Sequence, residues 1–241
     1  MLLVTDLDNT LVGDDQALAV LNQKLLDQRD RLYLVYATGR SYKSAQELQR
    51  QKQLLEPDYW ITGVGSQIYQ NNQLWADWAG HISQDWHPEP IFALVHGFPQ
   101  LLPQPIAEQN PWKLSFNLHP AAPALTIKQL CSAIDQEAIA AQVVFSSGEQ
   151  VDILPSRAGK GKAVAYLQNI LQISWGETLV CGDSGNDISL FEQPALGVIV
   201  ANAQAELKAW WQSHRQPRHY LAEHSYAGGI LEGLDWFKLL G

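Results

Sequence analysis

Short apolar runs without polar alternation are the feature of this chain that most restricts its fold. Three such runs, at 2–7, 32–39 and 59–66, are separated by helix-like stretches that reach about residues 29 and 55. Strands that are apolar on both faces require helices on both sides of the sheet, which is typical of parallel α/β proteins. The order strand, helix, strand, helix, strand therefore predicts a Rossmann-like parallel sheet with helices on both faces.

The same alternation returns near residue 160. The predicted elements are a helix at 160–173, a strand at 178–182, a short helix at 187–193, a strand at 196–202, a helix at 203–213, a strand at 219–222 and a closing helix at 227–240. Because this pattern repeats the first, both halves are predicted to share one sheet. We therefore predict an α/β core domain made of residues 1–79 and 158–241.

The segment between these halves, residues 80–157, has a different character. Eight of the twelve prolines lie between positions 88 and 123, and the strands alternate polar and apolar residues. The predicted elements are a strand at 112–119, a hairpin at 142–155 with its turn near Gly148, and, leading into the segment, a hairpin at 68–76 turning at Asn71 and Asn72. We predict that this segment is an inserted α+β cap domain.

Polar residues follow the predicted core strands at the points where the strands end. They are Asp6 and Asp8 after the first strand, Thr38 after the second, Ser66 after the third, Asp183 and Asp187 after the strand at 178–182, and Lys160 at the start of a helix. Ligands of parallel α/β sheets bind at this edge. Any one of these residues alone is as well explained by a helix cap or a turn. Four carboxylates at one edge repel each other by about 1–4 kcal/mol per close pair, however, and a bound Mg²⁺ with oxygen ligands relieves that repulsion.

Together these motifs resemble those of the haloacid dehalogenase superfamily of phosphotransferases, over most of the chain. The matching segments are "DLDNT" at 6–10, "ATGR" with Thr38, "GKGKAV" with Lys160, and "GDSGND" with Asp183 and Asp187. Asn9 stands where this superfamily more commonly has glycine, so a different local turn is expected, with little consequence.

The resemblance implies a role for each of these residues. Asp6 would be the nucleophile that forms an aspartyl-phosphate, and Asp8 would be the acid/base that protonates the leaving alcohol and then activates water. Thr38 and Lys160 would hold the phosphoryl oxygens during transfer. The implied Mg²⁺ ligands are the side chains of Asp6, Asp183 and Asp187 and the main-chain carbonyl of Asp8.

Composition restricts the partner and the compartment. The net charge of −9 and pI near 5.1 argue against nucleic acid or an anionic membrane as partner. Two cysteines, Cys131 and Cys181, without metal-type spacing predict a reducing compartment, and cytoplasm is expected. No export signal and no run near the roughly 18 apolar residues of a membrane span is recognised. A neutral polyol bearing one phosphate is a compatible substrate, and a monomer is expected.

A finer resemblance is to sucrose-phosphate phosphatases of the cyanobacterial type. It rests on "VTDLDNTLVGDD", "KLSFNLHP", "VCGDSGNDISLFE", "GVIVANAQAELKAW" and "HSYAGGILEGL", which span the core and the cap. It implies hydrolysis of sucrose 6-phosphate to sucrose and phosphate, the final step of sucrose biosynthesis. The cap would set the substrate specificity.

Candidate substrate-binding residues come from both predicted domains. In the core they are Thr38, Gly39, Arg40, Ser66, Gln67, Lys160 and Asn186, and in the cap they are Lys113, Ser115 and Asn117, which share one face of an alternating strand. For the cap residues, an exposed polar strand face is an equally good explanation. Trp78, Trp86 and Trp112 also lie in or beside the insert, where sugar stacking is possible but ordinary packing is the better explanation.

Three other functions remain open from the sequence. A sibling enzyme, either a phosphatase for another sugar phosphate or a hexose phosphomutase, would share the core motifs and the cap. A receiver domain also carries a phosphorylated Asp with Thr, Lys and Mg²⁺, but it would be about half as long and would lack the insert. A catalytically silent sugar-binding protein is disfavoured by the intact acidic residues and Lys160.

Overall fold

The computed structural model describes residues 1–122 and 125–239. Pro123 and the predicted end of the closing helix at residue 240 lie outside the described residues. The strands are β1 Leu2–Thr5, β2 Tyr33–Ala37, β3 Tyr59–Thr62, β4 Gln67–Gln70, β5 Gln73–Leu74, β6 Leu101–Pro103, β7 Leu114–Leu118, β8 Ala141–Ser146, β9 Gln150–Pro155, β10 Thr178–Gly182, β11 Leu196–Ile199 and β12 His219–Leu221. The α-helices are α1 Asp15–Leu26, α2 Tyr42–Lys52, α3 Ala76–Ser83, α4 Pro88–Val95, α5 Thr126–Gln136, α6 Lys160–Leu171, α7 Ile188–Phe191, α8 Ala205–Ser213 and α9 Tyr226–Trp236.

The larger of the two sheets carries strands from both ends of the chain. Its order is β12-β11-β10-β1-β2-β3-β4-β5, and it is parallel from β12 to β3. Alternate residues of β1 face opposite cores, since Leu2 and Val4 belong to one apolar cluster and Leu3 to the other. Helices α3, α6, α7 and α8 cover the first face, and α1, α2 and α9 cover the second. The predicted parallel sheet with helices on both faces is confirmed.

The two predicted hairpins are present, and their turns explain their sequences. Asn71 and Asn72 have left-handed φ values of 50° and 62°, as do Ser147 and Gly148 at 54° and 73°. Positive φ at both central residues is what the two-residue β4–β5 turn requires, and asparagine and glycine tolerate it best. The β8–β9 loop has three residues, 147–149. The β4–β5 hairpin adds two antiparallel strands to the edge of the larger sheet.

The second sheet lies within the insert and is antiparallel, in the order β6-β7-β9-β8. We call residues 86–155, which contain this sheet with α4 and α5, the cap unit. It has its own apolar cluster, which includes Ile91, Leu130 and Ile153. The predicted domain boundary at residue 80 falls inside α3, whose Trp78 packs in the core of the larger sheet.

The described helices include none with the length and apolar character of a membrane-spanning segment.

Buried His219 is expected to make the stability of the fold depend on pH. Its ring lies 5.7 Å from that of Phe191 and 5.9 Å from that of Trp210, and only 7% of the residue is exposed. Burial, and then the neighbouring Arg218, lower the pKa of His219 below its ordinary value of 6.5. When folding lowers the pKa of a group, the contribution of that group to stability is complete only at pH values above its unfolded pKa. For His219 the unfolded pKa is about 6.5, so the contribution is lost as the pH falls below that value.

Lowering the pH from about 7 to about 5 is therefore expected to reduce the free energy of unfolding less in His219→Leu than in the native chain. The difference between the two reductions is up to about 1.4 kcal/mol per unit of pKa shift. Urea denaturation at both pH values measures this. The control is His96→Leu at an exposed position. An unaltered pH dependence in His219→Leu contradicts the assignment.

Candidate active site

Four neighbouring strands carry the predicted polar residues to one edge of the larger sheet. The strands β10, β1, β2 and β3 are adjacent, so their carboxyl ends place Asp183, Asp6 and Thr38 side by side. Main-chain hydrogen bonds extend the ladder beyond the strands, since Asp6 N donates to Cys181 O at 3.0 Å and Thr38 N donates to Ile61 O at 2.8 Å. This edge is where parallel α/β sheets bind their ligands.

Lys160 lies at the centre of the site although it is fully buried. Its Nζ donates to Asp6 Oδ1 at 2.7 Å, to Asp187 Oδ1 at 2.7 Å and to Asn186 Oδ1 at 2.6 Å. Burial alone would lower the pKa of Lys160, but the two carboxylates raise it above its ordinary value, so the ammonium stays charged.

A glycine beside Lys160 lets α6 approach α7 closely enough for these contacts. A Cβ atom on Gly161 would lie 1.8 Å from Ser189 O, which no side chain permits. Gly161 N also donates to Ser189 Oγ at 3.1 Å. Any other residue at 161 would therefore move the start of α6, and Lys160 with it.

The buried carboxylates of Asp6, Asp183 and Asp187 form an acidic cluster, in which one oxygen of each lies within 4.8 Å of the others. Asp187 Oδ2 accepts from Asp183 N at 2.9 Å, and Asp183 Oδ1 accepts from Thr10 Oγ1 at 3.0 Å. Burial is the main cause that raises the pKa of Asp6, and burial followed by Asp187 raises the pKa of Asp183 to about 7.

The charge of this cluster fits a divalent cation. Three buried carboxylates face one buried ammonium, so the ionised cluster has an excess of two negative charges. A hard dication with oxygen ligands neutralises that excess and favours the ionised form of each carboxyl group.

Asp8 is separate from the acidic cluster despite its closeness to Asp6 in sequence. Arg40 binds its carboxylate with two hydrogen bonds of 2.7 Å, from Nε to Oδ2 and from Nη2 to Oδ1. Arg40 Nη1 in turn donates to Ser44 Oγ at 2.8 Å. The Asp8 side chain is 44% exposed, whereas Asp6 is buried. Asn9 follows with a left-handed φ of 59°. Glycine adopts this conformation without strain, and asparagine adopts it more readily than most other residues.

A cavity of about 360 Å³ lies between the edge of the larger sheet and the cap unit. Its core side is lined by Asp6, Asp8, Asn9, Thr38, Gly39, Arg40, Ser44, Asp183, Ser184 and Asn186, and its cap side by Gln104, Glu108, Lys113, Ser147, Gln150 and Asp152. Lys160 and Asp187 lie behind this lining, in contact with Asp6 and Asn186. The polar lining is suited to a hydroxylated ligand that carries a phosphate.

On the cap side, Lys113 and Asp152 are buried and their Nζ and Oδ1 atoms are 3.4 Å apart. Ser115 Oγ donates to the same Oδ1 at 2.5 Å, so Ser115 supports the cavity wall without lining it. No sequence motif marks Asp152 as a cavity residue. The register in which β7 and β9 pair is what brings it opposite Ser115. Glu108, Gln104 and the remaining cap residues likewise come to the cavity through folding alone.

Five of the predicted substrate-binding residues do not line the cavity: Lys160 and Ser115, which lie behind its walls, and Ser66, Gln67 and Asn117. Ser66 is buried, and its Oγ accepts from Asn110 Nδ2 at 2.9 Å. Gln67 pairs with Thr62 in the larger sheet. Asn117 lies in β7, about 13 Å beyond Lys113 at about 3.3 Å per residue, and its Oδ1 accepts from Gln104 Nε2. Lys113 directly precedes that strand.

The three tryptophans of the insert region pack rather than line the cavity. Their Nε1 atoms donate to neighbours, Trp78 to Gly65 O at 3.2 Å, Trp86 to Pro111 O at 2.8 Å and Trp112 to Ser83 Oγ at 2.7 Å. The cavity lining contains none of the three, so the packing interpretation is the correct one.

A parallel α/β core with an acidic cluster, a buried lysine and an inserted cap places the chain in the haloacid dehalogenase superfamily. Within it, the chain belongs to the sucrose-6F-phosphate phosphohydrolase family, whose family model matches residues 1–238.

Relatives of known name agree with this membership. Probable sucrose-phosphatase 2 of Arabidopsis thaliana is 35% identical over 252 residues, which cover 99% of this chain and 60% of the relative. This chain therefore spans about 60% of the length of that relative. Mannosylfructose-phosphate phosphatase of Agrobacterium fabrum is 33% identical over 243 residues, covering 99% of this chain and 97% of the relative.

Solved structures agree as well. The sucrose-phosphatase of Synechocystis sp. PCC6803, crystallised in complex with sucrose and phosphate, is 51% identical, with a TM-score of 0.98 over 100% of this chain and 99% of that one. A subclass IIB sugar phosphatase shares the fold at 16% identity, with a TM-score of 0.68 and 99% of each chain covered. A receiver domain is excluded, because the family match extends over the core and the insert together.

Proposed function

We propose that this protein is a Mg²⁺-dependent phosphatase that hydrolyses sucrose 6-phosphate to sucrose and phosphate. One observation carries the proposal: the cavity joins two carboxylates in different environments, Asp6 beside a buried ammonium and Asp8 in a bidentate pair with Arg40. The likeness to the Synechocystis enzyme in complex with sucrose and phosphate supports the choice of sugar.

The two carboxylates have different roles in the proposed reaction. A carboxylate oxygen of Asp6 attacks phosphorus, the bond from phosphorus to the sugar oxygen breaks, and Asp8, in its protonated form, gives that oxygen its proton. Asp8 then takes a proton from a water molecule. The oxygen of that water attacks the phosphorus of the aspartyl-phosphate, and the bond between Asp6 and phosphorus breaks, which releases phosphate and restores Asp6. Lys160 orients Asp6 through its 2.7 Å contact, and Thr38 lies in the cavity lining where a phosphoryl oxygen would bind.

Mg²⁺ is the proposed cofactor. Asp6, Asp183, Asp187 and the main-chain carbonyl of Asp8 would hold it, and the charge excess of the acidic cluster supports this set. When bound, the ion would neutralise charge on the transferring phosphoryl group.

The proposed domains are the core at 1–79 and 158–241 and the cap at 80–157, with helix α3 crossing the first boundary. Lys113, Asp152 and Asn186 are the proposed contacts for sugar hydroxyls, because they are polar and line the cavity. The two free cysteines and the acidic composition support a reducing, cytoplasmic environment, and a site built from one chain is consistent with activity as a monomer.

The substrate is tested by phosphate release from a panel of sugar phosphates with Mg²⁺. The panel contains sucrose 6-phosphate, mannosylfructose phosphate, trehalose 6-phosphate and glucose 6-phosphate, since a relative of 33% identity acts on mannosylfructose phosphate by name. The highest kcat/KM is expected for sucrose 6-phosphate. A clear preference for another sugar phosphate contradicts the proposed substrate but is compatible with the proposed mechanism. Conversion of glucose 1-phosphate to glucose 6-phosphate with a bisphosphate activator would show a phosphomutase instead.

Chelation of divalent ions tests whether turnover requires Mg²⁺. Treatment with EDTA is expected to abolish turnover, because the acidic cluster then has two uncompensated negative charges facing an anionic substrate. Added Mg²⁺ in excess is expected to restore activity fully. Turnover that survives exhaustive chelation contradicts the proposed cofactor.

A further inference from the structure

Glu206 connects the cap unit to residues 183–187, the acidic loop, which carries Asp183 and Asp187 of the acidic cluster. It lies in the first turn of α8, and its Oε1 atom accepts two main-chain hydrogen bonds. One comes from Ser147 N at 2.8 Å, in the β8–β9 turn of the cap unit, and the other from Gly185 N at 3.3 Å, between Asp183 and Asp187. A single carboxylate oxygen thus joins two segments that are distant in sequence.

The two segments are in direct backbone contact at this point. A Cβ atom on Gly185 would lie 2.2 Å from Phe145 O, so only glycine lets the hairpin lie against the loop. Ser146 is fully buried there, and Val144 packs against the apolar core of the larger sheet. Phe145 and Ser146 of the hairpin therefore lie against the acidic loop, while the turn at 147–149 is exposed.

The contact also determines what faces the cavity. Ser147, Gln150 and Asp152 belong to this hairpin and line the cap side, while Asp183 and Asn186 belong to the acidic loop and line the core side. Glu206 itself is not among the described residues that line the cavity. A hydrogen bond from a main-chain N–H to a carboxylate is stronger than one to a neutral acceptor, which suits a contact that must hold two units in register.

We propose that Glu206 is a positioning residue that holds the hairpin of the cap unit against the acidic loop, so that both walls of the cavity meet the substrate together. This inference rests on the proposed function. A substrate whose leaving group reaches the cap unit depends on this contact, whereas a small phosphate ester that occupies only the core side does not.

Kinetics on two substrates test the proposal with three variants. Glu206→Ala removes the acceptor, Glu206→Gln keeps a carbonyl oxygen in its place, and Glu47→Ala at an exposed position of α2 is the control. For Glu206→Ala, kcat/KM on sucrose 6-phosphate is expected to fall roughly tenfold or more, mainly through KM. On p-nitrophenyl phosphate it is expected to change by less than about threefold, and Glu206→Gln is expected to recover most of the loss. Equal losses on both substrates, no loss on sucrose 6-phosphate, or no recovery with glutamine overturn the proposal.

Hydrogen exchange gives a readout that needs no substrate. In Glu206→Ala, the amides of residues 143–149 are expected to exchange faster, whereas they keep the native rate in Glu47→Ala and exchange at a rate nearer the native one in Glu206→Gln. Unchanged exchange in this peptide overturns the positioning role. If the native chain fails to hydrolyse sucrose 6-phosphate, the proposed function is wrong, and the exchange result alone decides the role of Glu206.

Discussion

Asp6→Asn is expected to lower kcat at least about 10⁴-fold while leaving the fold intact. The amide oxygen is neutral and a poor nucleophile, so no aspartyl-phosphate forms. The fold is expected to survive, because Asn keeps the shape of Asp6 and its Oδ1 still accepts the 2.7 Å hydrogen bond from Lys160 Nζ. Phosphate release from sucrose 6-phosphate measures the loss, and thermal unfolding checks the fold.

The matched control for this change is Asp30→Asn, at an exposed position between α1 and β2. It removes the same charge far from the cavity and is expected to keep full activity. Acid quenching during turnover adds a direct test, because protein-bound phosphate is expected in the native chain and not in Asp6→Asn. More than about one per cent residual activity contradicts the nucleophile assignment.

Lys160→Met is expected to lower the free energy of unfolding by about 3–5 kcal/mol in EDTA near neutral pH, and to abolish turnover. The fully buried ammonium is 2.7 Å from both Asp6 and Asp187, so its removal leaves buried carboxylates without their cation. The pKa of Lys160 is raised, so this stabilisation is fully present below the ordinary value of 10.5 and is lost only as pH rises through the higher folded value.

Urea denaturation with Lys162→Met as the control isolates the effect. Lys162 is exposed and lies two residues along the same helix, so the control removes one lysine without touching the acidic cluster. Mg²⁺ is expected to stabilise Lys160→Met more than the native chain, since the ion then carries the whole compensating charge. A Lys160→Met variant as stable as the native chain in EDTA contradicts the role of Lys160 in the cluster.

Much of the core was predictable because its signals are local. An apolar run such as residues 2–5 is needed wherever a strand is covered on both faces, and the chain direction alone tells which residue ends the strand. Asp6, Thr38 and Asp183 could therefore be assigned to one edge before the strand order was known. The two hairpin turns were predictable for the same reason, because positive φ values select asparagine and glycine.

The cap side of the site was not predictable in this way. Lys113, Ser115 and Asn117 alternate along one strand face, but only Lys113 lines the cavity, since Ser115 lies behind its wall and Asn117 lies further along β7. Asp152 meets Ser115, 37 positions away in the sequence, through the register in which β7 and β9 pair. The Arg40–Asp8 pair is similar, since nothing near either residue indicates that the guanidinium binds both oxygens of that carboxylate.

The sequence by itself determined the parallel sheet, the inserted segment and the residue types at the strand ends, because backbone conformation and strand burial depend on neighbouring residues. Only the tertiary structure decided which charges meet. Lys160 and Asp6 are 154 positions apart, and Glu206 reaches Ser147 across 59. Contacts of this kind depend on how helices and sheets pack, and packing is set by the whole apolar core and by close approaches such as that of Gly161 to Ser189.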